Sequence, residues 1–413
     1  MSTFTFIHAA DLHLGSPFQS LAVKEAAIAV RFAQATRTAF TKLVDQAIAR
    51  DVDFMVIAGD VYDGEWKDNS IGLFFNREVA RLAKADIPVI YLRGNHDADS
   101  VVTKSVPLPD TVHQFPTNKP STIRLDPVGV ALHGQGFAER AATDNLALAY
   151  PAPVAGAFNI GVLHTSLTGR PPHDVYAPCT VSDLQSRGYD YWALGHVHEF
   201  EIVSHDPHIV FPGNLQGRSI REEGEKGALL VRVADGRIAG TERLILDEAR
   251  WARLCVDIGC HEGTATIAGA VADALKPLAE AAGERLLALR IELAGSCAFR
   301  RKLIAEREFL TDEIQAACHH VHPDAWLEKL VIAVVEPDGR GVGAGADRSI
   351  DLEAMLADIT CDADVHHDVD AIVEAIASKL PGGIAAGNAP LGDPDELLSE
   401  ARDLLLSHAD ARA

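Results

Sequence analysis

Five times in the first 200 residues, a short apolar run stops on aspartate, asparagine or histidine, with glycine close by in most cases. FTFIHAA (4–10) leads into Asp11-Leu12-His13, and DFMVIA (53–58) into Gly59-Asp60. IPVIYLR (87–93) leads into Gly94-Asn95-His96-Asp97, FNIGVL (158–163) into His164, and YDYWALG (189–195) into His196-Val197-His198. Apolar runs of this length bounded by polar residues read as buried strands. Helical patterns from about Val23 to Arg50 and near 71–85 fall between the first three. In α/β sheets, ligands gather outside the carboxyl ends of strands, so the polar clusters sit where chemistry is expected.

Further strands are expected at 130–136 and 208–214. A hairpin follows at 227–246, with Asp235-Gly236 at its turn. The pattern restarts at Trp251: strand 251–259, helix 262–281, strand 286–294, helix 298–319, strand 325–335. At 413 residues the chain exceeds one ordinary core. The expected division is a first domain at 1–246, a small α/β domain at 251–336, a Gly-rich linker at 337–349 and an acidic helical tail at 350–413. In the tail, Val365, Val369, Ile372, Val373, Ile376 and Leu380 form one apolar stripe, and Leu397, Leu398, Ala401, Leu404 and Leu405 another. Such stripes ordinarily pack on their own protein; docking a partner is the minority reading.

Composition is that of a soluble globular protein, with 23% charged residues. No membrane span or secretory signal is read. The six cysteines form no C-x-x-C pair, which fits reduced thiols and a cytoplasmic protein. Net charge is −22 and uneven: residues 1–250 carry 30 acidic and 23 basic side chains, residues 251–413 carry 29 and 14. Phosphate contacts supply most non-specific affinity for nucleic acid, so this balance argues against strong autonomous DNA binding.

The clusters combine carboxylates, an asparagine and several imidazoles. That mixture suits Mn, Fe, Co or Zn better than Mg or Ca. Asp60 is the candidate carboxylate to be shared by two cations. Two such ions activate a water to attack phosphorus and neutralise charge developing on the phosphoryl oxygens. The leaving alkoxide needs a proton; His96 can supply it, with Asp63 as its hydrogen-bond partner.

These motifs resemble the calcineurin-like metallophosphoesterase superfamily. The wording of HAADLHLGSPF (8–18), AGDVYD (58–63), LRGNHD (92–97), LHTS (163–166), HDVYAPCT (173–180), YDYWALGHVH (189–198) and FPGNLQGRSIREEGEKGALLV (211–231) resembles its SbcD/YhaO-type DNA-repair exonuclease branch. The resemblance implies a four-layer α-β-β-α sandwich. It implies one metal on Asp11, His13, Asp60 and His198, and a second on Asp60, Asn95, His164 and His196, with His96 contacting phosphate and donating the proton. It further implies Mn-dependent DNA exonuclease activity, a capping domain at 251–336, and an SMC-like coiled-coil ATPase bound by the C-terminal helices. A homodimer is left open. Some relatives carry a second catalytic histidine where this chain has Asp63, which puts endonucleolytic handling of DNA in question.

Blander readings compete. His113, His205, His208, His261 and His408 read as ordinary core or surface residues; His8, His133 and His173 stay open, His133 as structural or as a supporting site residue. Arg218, Arg221 and Lys226 either meet a phosphate backbone or pair with Glu222, Glu223 and Glu225. Arg300-Arg301-Lys302 reads as a solvated helix start. The alternatives to a DNA enzyme are a phosphodiesterase or pyrophosphatase of a small nucleotide, and a non-catalytic scaffold of the same fold.

Overall fold

The computed structural model describes residues 3–16, 26–63, 70–99, 107–140, 142–167, 176–259, 263–297, 299–335, 355–356, 359–360, 362–377 and 394–410. The Gly-rich linker, the 381–393 segment, Leu380, His173, His261, Cys260 and Cys361 lie outside them. The described part divides into two compact units, one ending at Trp251 and one from Ala252 onward.

In the first unit, each apolar run forms a strand. β1 (Phe4–Ala9), β2 (Phe54–Ile57) and β3 (Val89–Tyr91) lie parallel; β4 (Val112–Gln114) extends them at one edge. β11 (Gly227–Ala234) and β12 (Arg237–Ile245) form the hairpin and complete a six-stranded sheet in the order β12-β11-β1-β2-β3-β4. Its turn residues Asp235 and Gly236 both have positive φ (52° and 72°), as a two-residue hairpin requires. β5 (Ser121–Leu125), β6 (Val130–Gly134), β7 (Phe158–His164), β8 (Tyr191–Gly195), β9 (Phe200–His205) and β10 (His208–Pro212) make a second sheet in the order β5-β6-β7-β8-β10-β9.

Faces of the two sheets share one core. Phe6 stacks on Phe54 (5.0 Å) and meets Tyr191 edge-on (5.3 Å), with Ile160, Val162 and Val210 around them. Helices α1 (Ala26–Ala49) and α2 (Ser70–Lys84) bury Phe40, Leu43, Phe75 and Val79 against the outer face of the first sheet. The short helix α3 (Asn95–Asp99) follows β3. On the outer face of the second sheet, Leu184 of α4 (Val181–Ser186) packs with Tyr150, Trp192 and Phe211. The fold is thus an α-β-β-α sandwich. The strands not anticipated, β4, β5 and β9, are half-exposed and lack a continuous apolar run, so sequence pattern had nothing to register.

The second unit holds a three-stranded sheet, β13 (Ala249–Asp257), β14 (Leu286–Ala294) and β15 (Ala325–Ile332). One face packs on α5 (Thr264–Ala282) and α7 (Arg307–Val321) through Leu254, Leu289, Ile291, Val271, Leu275 and Ile314. The single helix expected over 298–319 is instead two, α6 (Arg300–Ala305) and α7, broken at Glu306 (φ −100°, ψ 23°). Arg300 Nε and Arg307 Nη2 donate to Val334 O (2.7 Å) and Leu330 O (2.8 Å), tying both helix starts to the β15 segment and setting the bend. Arg300 is therefore engaged rather than merely solvated. Helix 394–410 packs on α6, yet Leu404 and Leu405 stay about half exposed (48% and 56%), as do Ile372 (58%) and Ile376 (39%) on helix 363–377. No helix among the described residues is long and apolar enough to cross a membrane.

Gly161 in β7 faces the Trp192 ring so closely that a Cβ would overlap it. Gly161→Ala is expected to cost about 1–3 kcal/mol by overpacking. Urea unfolding should show a lower midpoint at unchanged slope; an unchanged midpoint would contradict this packing.

Candidate metal centre

All five clusters converge at the carboxyl ends of parallel strands. Asp11 and His13 follow β1, Asp60 follows β2, Asn95 and His96 open α3 after β3, His164 ends β7, and His196 and His198 follow β8. Asp11, His13, Asp60, Asn95 and His164 are all buried. Asp11 (φ 51°), His13 (φ 43°), Asp60 (φ 51°) and His196 (φ 96°) adopt backbone conformations that non-glycine residues rarely hold. Such strain persists only where surrounding structure enforces it.

Asp97 supplies part of that enforcement. Its carboxylate accepts from Val61 N (3.1 Å), Tyr62 N (2.9 Å) and Gly94 N (3.1 Å), clamping the loops that carry Asp60 and Asn95. Asp60 Oδ1 accepts from His96 N (3.0 Å), and both Asp11 oxygens accept from His196 N (3.0 and 3.1 Å). Gly94 is required here: a Cβ would collide with Asp60 Oδ1. A Cβ on Gly195 would likewise strike Ala58 O.

The donor atoms group as metal-binding atoms do. Asp11, His13 and His198 offer atoms within 4.8 Å of one another, as do Asp11, Asp60 and His164, and also His13, Asp60 and His96. Asp60, Asp11 and His13 each belong to two of these sets, so the three groups adjoin one another. His13 Nε2 lies 3.2 Å from His198 Nε2. Two nitrogens each about 2.1 Å from one cation at tetrahedral or octahedral angles stand about 3.0–3.4 Å apart. His164 Nδ1 donates to Ala58 O (2.9 Å), so its Nε2 faces Asn95 Oδ1 (2.9 Å) and Asp60 Oδ2 (3.4 Å). That outer hydrogen bond is the usual way a metal-binding imidazole is oriented. The His196 ring sits 5.2 Å from the His164 ring. The residues present therefore fit a pair of divalent cations.

Electrostatics agree. Burial, then the Arg218 charge, push His13 well below the ordinary histidine value, leaving it neutral as a donor. Burial alone would raise Asp60, but His164, by charge and hydrogen bond, and His96 outweigh it and hold its carboxyl well below the carboxylate range. Burial raises Asp11. Burial opposes the charge on His164, yet Asp60 and Asp11 win and push it up to about 9.

His96 Nδ1 donates to Asp63 Oδ1 (2.9 Å); burial lowers its pKa, but the Asp63 hydrogen bond and Asp60 outweigh that and raise it. Asp63 also accepts from Arg218 Nη1 (3.2 Å). Two residues of the site carry no signal of their own in the sequence. Asp97 lies inside the LRGNHD motif, where nothing separates a loop clamp from a ligand. Glu222 accepts from His198 Nδ1 (2.7 Å), yet nothing in REEGE separates it from Glu223 and Glu225.

Other candidates take different places. His133 bonds Thr122 Oγ1 (2.9 Å) and Asn159 Oδ1 (3.0 Å) and stacks on Tyr189, so its role is structural. His8 is held by Tyr191 Oη and Leu194 O. Lys226, read as a loop cation, is buried (2% exposed) against Glu199 (2.7 Å) and His198 O, because its loop folds back toward the turn after β8. Arg221 is exposed. Among the described cysteines, Cys179, Cys297 and Cys318 are buried, Cys255 is exposed, and none is in a disulfide.

Residues 4–200 match the family model for calcineurin-like phosphoesterases. These residues are a calcineurin-like metallophosphoesterase domain. Residues 251–335 of the same chain match the model for the middle domain of metallophosphoesterase YhaO. The chain is 35% identical over 262 residues to the uncharacterized metallophosphoesterase YhaO of Bacillus subtilis, covering 62% of this chain and 64% of that one. It is 26% identical to the DNA double-strand break repair protein Mre11 of Sulfurisphaera tokodaii, over 60% of this chain and 64% of that one. It is 23% identical to the SbcD component of the SbcCD nuclease of Escherichia coli, over 58% and 67% respectively. The match thus spans less than two thirds of the YhaO and Mre11 relatives' own length.

Because His164 stands at about 9, the metal-free metallophosphoesterase domain carries a proton there at neutral pH. A cation needs its neutral Nε2, so Mn loading should release a proton, and apparent affinity should rise with pH until about 9. The rise is at most about tenfold per unit for each proton released. Calorimetry in two buffers of different ionisation enthalpy measures this; buffer-independent heats would contradict it.

Proposed function

We propose that this chain is a two-metal phosphodiesterase that acts on DNA together with an SMC-like ATPase partner. The observation that carries the phosphodiesterase part is the His13–His198 approach, with His96 grouped beside His13 and Asp60. Asp11, His13, Asp60 and His198 would hold one cation, and Asp60, Asn95, His164 and His196 the other; Mn is the expected metal, with Fe, Co or Zn able to replace it. When bound, two such ions supply an activated water and neutralise charge on the phosphoryl group.

The chain's own residues do the rest. Asp63 orients His96 Nδ1, leaving Nε2 free to protonate the leaving oxygen. Of three cations in the 218–226 loop, Lys226 is withdrawn by burial and Arg218 is paired with Asp63 and Glu222, so phosphate contact by this loop would fall to Arg221.

DNA as substrate draws support from the DNA-repair and nuclease roles that the Mre11 and SbcCD relatives are named for. It also draws support from the second unit. There, despite an acidic sequence, Arg253, Arg290, Arg300, Arg307 and Lys329 outnumber Glu292, Glu306 and Glu308 in the lining of one cavity of about 1190 Å³. Partner docking is supported by the apolar residues that the tail helices leave exposed. The net charge of −22 favours a small phosphoester as the second reading.

Full-length protein with Mn should hydrolyse bis-p-nitrophenyl phosphate and degrade DNA. Activity on the first alone would select the small-substrate reading, and none with Mn, Fe, Co or Zn would sink the enzyme. His96→Ala should retain both metals and lose about 10²–10⁴-fold in turnover on DNA, whose alkoxide leaving group needs a proton, and much less on the nitrophenyl ester; loss of a metal would place His96 among the ligands. Truncation near residue 340 should leave model-diester hydrolysis intact and abolish binding to the ATPase.

A further inference from the structure

Arg218 is more enclosed than a substrate-binding arginine would be. Its side chain is 18% exposed, between two carboxylates from opposite sides of the site. Nε and Nη2 reach Glu222 (3.3 and 2.9 Å), and Nη1 reaches Asp63 (3.2 Å). Glu222 is fixed from both ends. Its Oε1 takes His198 Nδ1 and Arg218 Nη2; its Oε2 takes Arg218 N (2.8 Å) and Asn214 Nδ2 (2.9 Å). Asp63 in turn holds His96.

The outer ends of this chain of contacts turn back on one another. The His198 and His96 rings lie 5.0 and 4.9 Å from the His13 ring. The single charge of Arg218 is already matched by these two carboxylates, which leaves little of it to draw in a phosphate. A planar guanidinium can serve two acceptors at fixed angles, and an ammonium cannot.

We propose that Arg218 and Glu222 form a positioning bridge between the metal-facing His198 and the proton donor His96, and that Arg218 does not bind substrate. The inference rests on the phosphodiesterase reading above. Glu222 keeps His198 Nε2 turned toward the metal. Arg218 holds Asp63 where it aligns His96 on the leaving oxygen. Four loops, carrying Asp63, His96, His198 and Arg218 with Glu222, are thereby kept in one register, the Arg218–Asp63 contact alone spanning 155 residues.

The test uses the full chain loaded with Mn, and two diesters sharing a methyl group: methyl p-nitrophenyl phosphate and methyl phenyl phosphate. The nitrophenolate leaves without a proton; the phenolate needs one. Arg218→Ala should cut kcat on the phenyl ester at least about tenfold more than on the nitrophenyl ester, at unchanged KM. His96→Ala should show the same pattern, and combining the two should cost little more than His96→Ala alone, because both act through one group. Arg218→Lys should fail to restore kcat.

Independently of activity, Glu222→Gln should weaken one of the two Mn sites about 10–100-fold, read from binding isotherms. A rise in KM with equal kcat on both esters would make Arg218 a substrate contact and overturn the bridge, as would full additivity with His96→Ala. Unchanged Mn binding in Glu222→Gln would overturn its His198 half. If the wild type hydrolyses neither ester, the phosphodiesterase reading fails, and the Mn isotherms still decide whether Glu222 holds His198. A far-ultraviolet spectrum and urea midpoint for each variant separate these outcomes from misfolding.

Discussion

Two carboxylates are buried within reach of each other and of a ring of imidazoles, and the first unit is organised around making that tolerable. Asp11 and Asp60 are each 1% exposed, and His164 is fully buried. Isolated charges in such a place would cost many kcal/mol. Here the cost is offset by positive charge held nearby: a proton on His164 in the metal-free chain, or cations when they bind. Backbone donors share the load. His196 N serves Asp11 and His96 N serves Asp60, so the residues that supply imidazoles also solvate the carboxylates through their main chain.

That economy requires close packing. Gly94 lets its loop touch Asp60, Gly195 lets β8 touch Ala58 O, and Asp97 binds both the Asp60 and Gly94 turns. The left-handed backbone at Asp11, His13, Asp60 and His196 is the strain left over after these contacts are satisfied. The sandwich itself explains why the centre is at one end. β1, β2 and β3 in one sheet and β7 and β8 in the other all deliver their carboxyl ends to the same place. The second unit shows a different use of charge. Its sequence is strongly acidic, yet basic side chains from β13, β14, β15 and the two helices α6 and α7 outnumber the three glutamates around one cavity.

Much of this was legible in one dimension. The strands that carry the candidate ligands are continuous apolar runs, and burial on both faces of the sheet makes such runs unavoidable; the sequence places their ends to within a few residues. The edge strands β4, β5 and β9 were invisible, because a half-exposed strand need not be apolar. The break at Glu306 was also hidden, since it depends on Arg300 and Arg307 reaching carbonyls at the end of the third strand of that sheet.

Sequence by itself determined the chemistry available: which donor types, on which strand ends, close enough along the chain to face one centre. Tertiary structure decided the supporting cast. Glu222, Glu223 and Glu225 are equivalent as letters, and only folding places Glu222 against His198 and Arg218. Lys226 and Arg218 look alike as loop cations, yet one is buried against Glu199 and the other bridges two carboxylates. Ligands to a metal must cluster on short motifs at strand ends, so spacing reveals them. The groups that orient those ligands can come from anywhere in the chain, so only their approach in space reveals them.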